Sequence, residues 1–166
     1  MKNGIITILD RTEKLLNSSV IVIMIVMALV TFGQVVLRYV FKSPTIWSEE
    51  LTRYLFVWLV LLTSAVAVRT NRHIKIDFLI KSLKPKLKLV LELITSALII
   101  IFLVILLREG ISIVQGTVDA KSASLKISMA LPYLAIPTGA VLMIIFFLEL
   151  TLRNIRSYLM EGKEGE

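Results

Sequence analysis

Between Lys14 and Arg38 the chain carries no charge for 23 residues, and between Lys126 and Glu149 for another 22. A helix needs about 20 such residues to cross a hydrocarbon core of about 30 Å. Two shorter uncharged runs of 15, Tyr54 to Val68 and Leu93 to Leu107, extend through flanks whose few charges suit the headgroup layer. The 57 % hydrophobic content only modestly exceeds that of a soluble domain, so the sorting of charge into clusters decides the class. The expected architecture is an all-α membrane protein with four transmembrane helices in a single domain. The spans are expected at about 15–37, 46–68, 86–107 and 127–150. The first apolar run is too long for a signal peptide and meets Arg38-Tyr39 instead of a small-residue cleavage site, so it reads as a retained span.

Basic residues in short loops report orientation. Of the 19 Lys and Arg, 13 fall in the segment before Leu15, the 69–92 loop and the tail after Leu150. Both termini and the 69–92 loop are therefore expected in the cytoplasm, with Arg38, Lys42, Arg53, Arg108, Lys121 and Lys126 toward the outer side. This distribution also accounts for the net charge of +7 without nucleic acid. Within the cytoplasmic loop, Ile76, Leu79, Ile80 and Leu83 recur at i, i+3, i+4, i+7. That spacing predicts a short interfacial amphipathic helix at about 74–83 between the second and third spans, too short to cross. Arg69, Arg72, His73, Lys75, Asp77 and Lys81 are the candidates there for contact with lipid headgroups.

Little in the sequence suits catalysis or a solute path. Cysteine is absent, which excludes disulfides, thiolate metal sites and iron–sulfur clusters. His73 is the single histidine, so two-histidine haem ligation is impossible, and no cluster of ligands accompanies it. An enzyme built on His73 and Asp77 ranks third among the readings, and the chain is read as no enzyme, with no cofactor and no metal. Transport paths announce themselves by ionisable groups or broken helices at mid-membrane. No acid or base falls near the centre of an expected span, and Pro132 lies near the outer start of the fourth, where it is tolerated. The pairs Ala135/Gly139 and Thr63/Ala67 offer small-residue steps for close helix packing.

The second span opens with WSEELTRYLFVWL, residues 47–59. Ser48 is placed to cap a helix that begins with Glu49 and Glu50, whose carboxylates favour the positive end of the dipole. Glu49 and Arg53 stand at i, i+4 with the acid first, the better order for an ion pair. Trp47 and Tyr54 suit the interfacial belt, with Trp58 one turn deeper.

The order Gln34, Arg38-Tyr39, Phe41, Trp47, Glu49-Glu50, Arg53-Tyr54, Trp58, then Arg69, His73 and Asp77, followed by LPYLAIPTG at 131–139, resembles a known family. It is similar to the small integral-membrane, DctQ-type subunit of tripartite ATP-independent periplasmic (TRAP) transporters. The resemblance implies multi-pass residence in a bacterial or archaeal cytoplasmic membrane. It also implies two protein partners, a large membrane subunit that carries the substrate and sodium sites and a periplasmic substrate-binding protein. The small subunit would stabilise the large one's scaffold during uptake of an organic anion such as a carboxylate or sialic acid. Gln34, Arg38, Trp47, Glu49, Glu50, Arg53, Tyr54 and Trp58 then become candidate assembly contacts, with anchoring of the second helix favoured over docking of the binding protein. The family often has glycine in the second span, where this chain reads LVLLTSAVAV; close packing there would rest on Ser64, Ala65 and Ala67. The competing reading is a tetraspan assembly or anchor subunit of another membrane complex.

Overall fold

The computed structural model describes residues 2–43, 45–70 and 85–161. Helix α1 covers Lys2–Tyr39, α2 Ile46–Arg69, α3 Pro85–Thr117, α4 Ala130–Tyr133 and α5 Ala135–Glu161. Within them Ile6–Tyr39, Ile46–Arg69, Ile94–Thr117 and Ala130–Leu152 are long and apolar enough to cross a membrane. Where no water can bond the backbone, a helix satisfies every N–H and C=O within itself, which is why such apolar runs adopt this form. Among the described residues the chain is thus all-α, with four segments long and apolar enough to span. The expected interfacial helix at 74–83, together with Arg72, His73, Lys75, Asp77 and Lys81, lies outside the described residues.

The helices outrun the spans expected from charge. α1 begins at Lys2, not near Leu15, and α3 continues past Leu107 to Thr117. Charged residues are good helix formers, so a charge bounds an apolar run without ending the helix that contains it. Arg108 and Glu109 consequently stand inside α3, where an outer loop was expected. The fourth span is α4 and α5 in succession, interrupted at Leu134. Pro137 has no N–H to donate to the carbonyl of Tyr133 four residues earlier, which accounts for the interruption. Pro132, the third residue of α4, costs nothing because N–H groups in a first turn have no helical acceptor.

α5 sits at the centre, packing on both α2 and α3, while α1 lies along α2. Ala65, Val68, Leu103, Met143, Phe146 and Phe147 form the buried cluster, flanked by Leu9, Leu16, Leu61 and Leu106. Two glycines set the closest approaches. A Cβ on Gly139 would stand 2.8 Å from Leu61 Cβ, and one on Gly110 would stand 2.7 Å from Ile136 Cγ2 and 3.1 Å from the Pro137 nitrogen. The Ala135–Gly139 step is therefore used, and Ala135 is fully buried. Of the small residues 63–67 of α2, Ala65 is buried, whereas Thr63 is exposed.

Candidate functional site at the two polar ends of the bundle

Polar side chains gather at each end of the helices. At the α1–α2 turn, Thr45 is extended (φ −105°, ψ 118°) and α2 begins directly after it at Ile46. Ser48 is therefore inside the helix and does not cap it. Its buried hydroxyl donates to the Thr45 carbonyl at 2.8 Å and lies 2.8 Å from the Thr45 hydroxyl. Glu49 takes a hydrogen bond from Gln34 Nε2 of α1 at 3.1 Å. The i, i+4 spacing to Arg53 is not used: Arg53 is exposed and joins no ion pair among the described residues.

Glu50 reaches the connection between α3 and α4. That segment folds into a tight hairpin through an antiparallel bridge between Lys121 and Ser128. The Ser122 amide donates to Ile127 and the Met129 amide to Ala120, each at 2.8 Å, and Lys126 turns the chain with φ 58°. Glu50 Oε2 receives the amides of Ser124 at 2.8 Å and Leu125 at 3.0 Å, while Oε1 receives the Tyr54 hydroxyl at 2.5 Å. One carboxylate thus satisfies two N–H groups at the hairpin tip that have no place in a helix or ladder. The Tyr54 oxygen also touches Met129 Sδ at 3.1 Å, a second link between α2 and the hairpin.

Arg69 organises the opposite end. Its side chain is 4 % exposed. Nε donates to Glu149 Oε2 of α5 at 3.1 Å, Nη1 to Glu13 Oε2 at 2.7 Å and to the Leu9 carbonyl, and Nη2 to Asp10 Oδ1. The guanidinium lies 5.4 Å from the centre of the Phe146 ring. Expected at the headgroups, Arg69 is instead enclosed. The planar fork of an arginine can bond several acceptors at once, which makes burial of its charge tolerable. These contacts set the N-terminal part of α1 beside the C-terminal end of α2 and the Glu149 turn of α5.

The remaining predicted residues contribute less. Arg38 is exposed and lies over Tyr39, 5.9 Å from its ring centre. Trp58 is half-buried. Trp47 is exposed and lines a notch of about 250 Å³ between α1 and α2, with Leu29, Gly33, Gln34 and Leu37. The notch is open and mostly apolar. Among the described residues no group of acids or histidine could hold a metal ion. Gln34, Glu49, Glu50 and Tyr54, singled out in the sequence as assembly candidates, bond one another here in pairs, and the sequence carries no sign of the hairpin amides that Glu50 also holds. Backbone amides at a hairpin tip carry no sequence signal. The acids that meet Arg69 stand 59, 56 and 80 residues away along the chain.

Among the described residues the polar geometry ties helices together. Residues 27–157 match the family described as tripartite ATP-independent periplasmic transporters, DctQ component. The chain belongs to that family. It is similar to the sialic acid TRAP transporter permease protein SiaT of Haemophilus influenzae, 30 % identical over 128 residues that cover 77 % of this chain and 21 % of that protein. It is also similar to the sialic acid TRAP transporter small permease protein SiaQ of Vibrio cholerae, 33 % identical over 118 residues (70 % of this chain, 67 % of that protein). The C4-dicarboxylate TRAP transporter small permease protein DctQ of Rhodobacter capsulatus is 38 % identical over 109 residues, 63 % of this chain and 47 % of the relative. The chain therefore spans about a fifth of the first of these relatives and about half of the third. As a DctQ-family chain with four apolar helices it is a multi-pass inner-membrane protein, and its relatives are transporter subunits, not enzymes.

Proposed function

We propose that this chain is the small membrane subunit of a sodium-coupled TRAP transporter, that it packs beside a large permease subunit, and that it stabilises that subunit's scaffold during uptake of an organic anion. The observation that carries this reading is where the described polar side chains spend their hydrogen bonds. Glu50 is taken up by Tyr54 and the hairpin amides, and Arg69 by Asp10, Glu13 and Glu149, so both clusters brace helices and line no channel. The sodium and substrate sites then belong to the large subunit, and this chain needs no cofactor. A periplasmic binding protein would deliver the solute to the end where Glu50 holds the hairpin, with the Arg69 end in the cytoplasm. The names of the relatives support a sialic acid or a C4-dicarboxylate as the class of solute.

The test is reconstitution. The chain, its cognate large subunit and its binding protein are placed in vesicles, and uptake of labelled anion is followed with and without a sodium gradient. Uptake that needs all three proteins and the gradient is expected. Undiminished uptake without this chain would refute the supporting role.

A further inference from the structure

We propose that the face of α3 carrying Arg108 and Glu109 is the surface against which a membrane helix of the large permease subunit packs. The inference deepens the reading of this chain as a small transporter subunit and rests on it.

Depth is the first observation. Gly110 of α3 abuts Ile136 and Pro137. Pro137 precedes Glu149, the α5 partner of Arg69, by twelve residues, about 18 Å of helix. α3 runs the opposite way, so Arg108 lies about 15 Å of helix from the Arg69 layer. Asp10 and Glu13 of that layer directly precede the uncharged run 15–37, which puts the layer at one edge of a hydrocarbon core of about 30 Å and Arg108 near its middle. Leu103 gives an independent check on this register. Seven residues before Gly110, it is buried with Met143 and Phe146, as an antiparallel pairing of α3 and α5 at that height requires.

Exposure is the second. The side chains of Arg108 and Glu109 are 86 % and 61 % exposed, and their mutual contact is a loose 4.0 Å. Adjacent residues on a helix do not face one another, so this pair does little to neutralise itself. Ionisable residues at mid-membrane are costly and face protein or water, and the aliphatic stem of an arginine does not reach an edge about 15 Å away. A protein surface is the cover that keeps both groups out of lipid.

The pattern around the pair is the third. Leu98, Phe102 and Ile105 are exposed and, with Glu109, follow the i, i+4, i+7, i+11 positions of one helical face. The other side of α3 is occupied, with Leu103 buried and Gly110 against α5. An apolar stripe ending in one cation and one anion fits a transmembrane helix that brings an acid or amide opposite Arg108 and a donor opposite Glu109. One relative, SiaT, contains the matching stretch as 21 % of a longer permease, so there the equivalent of this chain is covalently joined to further protein.

The experiment uses the chain in complex with its cognate large subunit. A photo-crosslinking amino acid is placed at Phe102 or Ile105 on α3, and at Phe32 on α1 for comparison. Crosslinks to the large subunit are expected from the α3 positions in preference to Phe32. Arg108→Glu should lower co-purification about tenfold, Arg108→Lys should retain most of it, and neither should alter melting of the isolated chain, because the side chain touches little there. Crosslinks from Phe32 alone, from α3 to a second copy of this chain, or from α3 to lipid alone would overturn the assignment of this face while co-purification still upheld the small-subunit reading. Failure of the unaltered chain to co-purify with the large subunit would remove both.

Discussion

Arg69 Nε donates to Glu149 Oε2 across 3.1 Å, joining the last turn of α2 to α5. With Asp10 and Glu13 on the same guanidinium, one side chain ties three of the four membrane-spanning segments at one end. Leucine at this position would leave Glu13 and Glu149, which are 27 % and 14 % exposed, without that cation. Arg69→Leu is expected to cost about 3 kcal/mol, because removing one partner strands buried charge. A lower melting temperature of the detergent-purified chain is the readout, and an unchanged one would contradict the enclosed geometry.

Removing residues 2–13 should act in the same direction. It deletes the Leu9 carbonyl, Asp10 and Glu13 and leaves Arg69 its bond to Glu149. The shortened chain keeps the apolar run 15–37 and should still insert, yet melt earlier than the full chain. Equal melting would show that the N-terminal turns of α1 are dispensable.

Glu50→Gln replaces a carboxylate that receives two amides and a phenol with a neutral amide that accepts at one oxygen only. Hydrogen exchange at Ser124 and Leu125 should quicken by about tenfold, while the amides of α5 are unaffected. Unaltered exchange at the tip would mean that the hairpin holds itself.

Gly139→Leu should destabilise by about 1–3 kcal/mol, since even a Cβ there would press on Leu61. Gly116→Ala is the matched control: nothing lies within 4 Å of its Cβ position, so stability should hold. Equal melting of the two variants would argue against tight α2–α5 packing.

The chain has no cysteine, so a single one can be introduced without background. Ala123→Cys, at the exposed hairpin tip, should react with a membrane-impermeant thiol reagent added outside cells. Labelling that requires access from the cytoplasm would invert the expected orientation.

Much of this fold is legible in one dimension because membrane spans are written in uncharged length. The four segments and the helical class follow from that alone. Their ends do not, because Arg108 and Glu109 interrupt an apolar run without interrupting a helix. The site was half visible. Glu50 stands out as an acid beside an apolar run, and its spacing to Tyr54 is local. Its partners at Ser124 and Leu125 are backbone groups about 75 residues away, supplied by a hairpin with no apolar periodicity to announce it. Arg69 misled for a related reason. A positive-inside count treats each cation as a solvated charge, whereas three distant acids withdraw this one from the surface.

The partners of Arg69 also differ in when they are made. Asp10 and Glu13 leave the ribosome before it, whereas Glu149 follows 80 residues later. The first two spans can therefore enter the bilayer as a pair whose buried cation already has counter-charge. α5 completes that cluster only late in synthesis, so biogenesis need never hold Arg69 without a counter-charge while it waits for the last span.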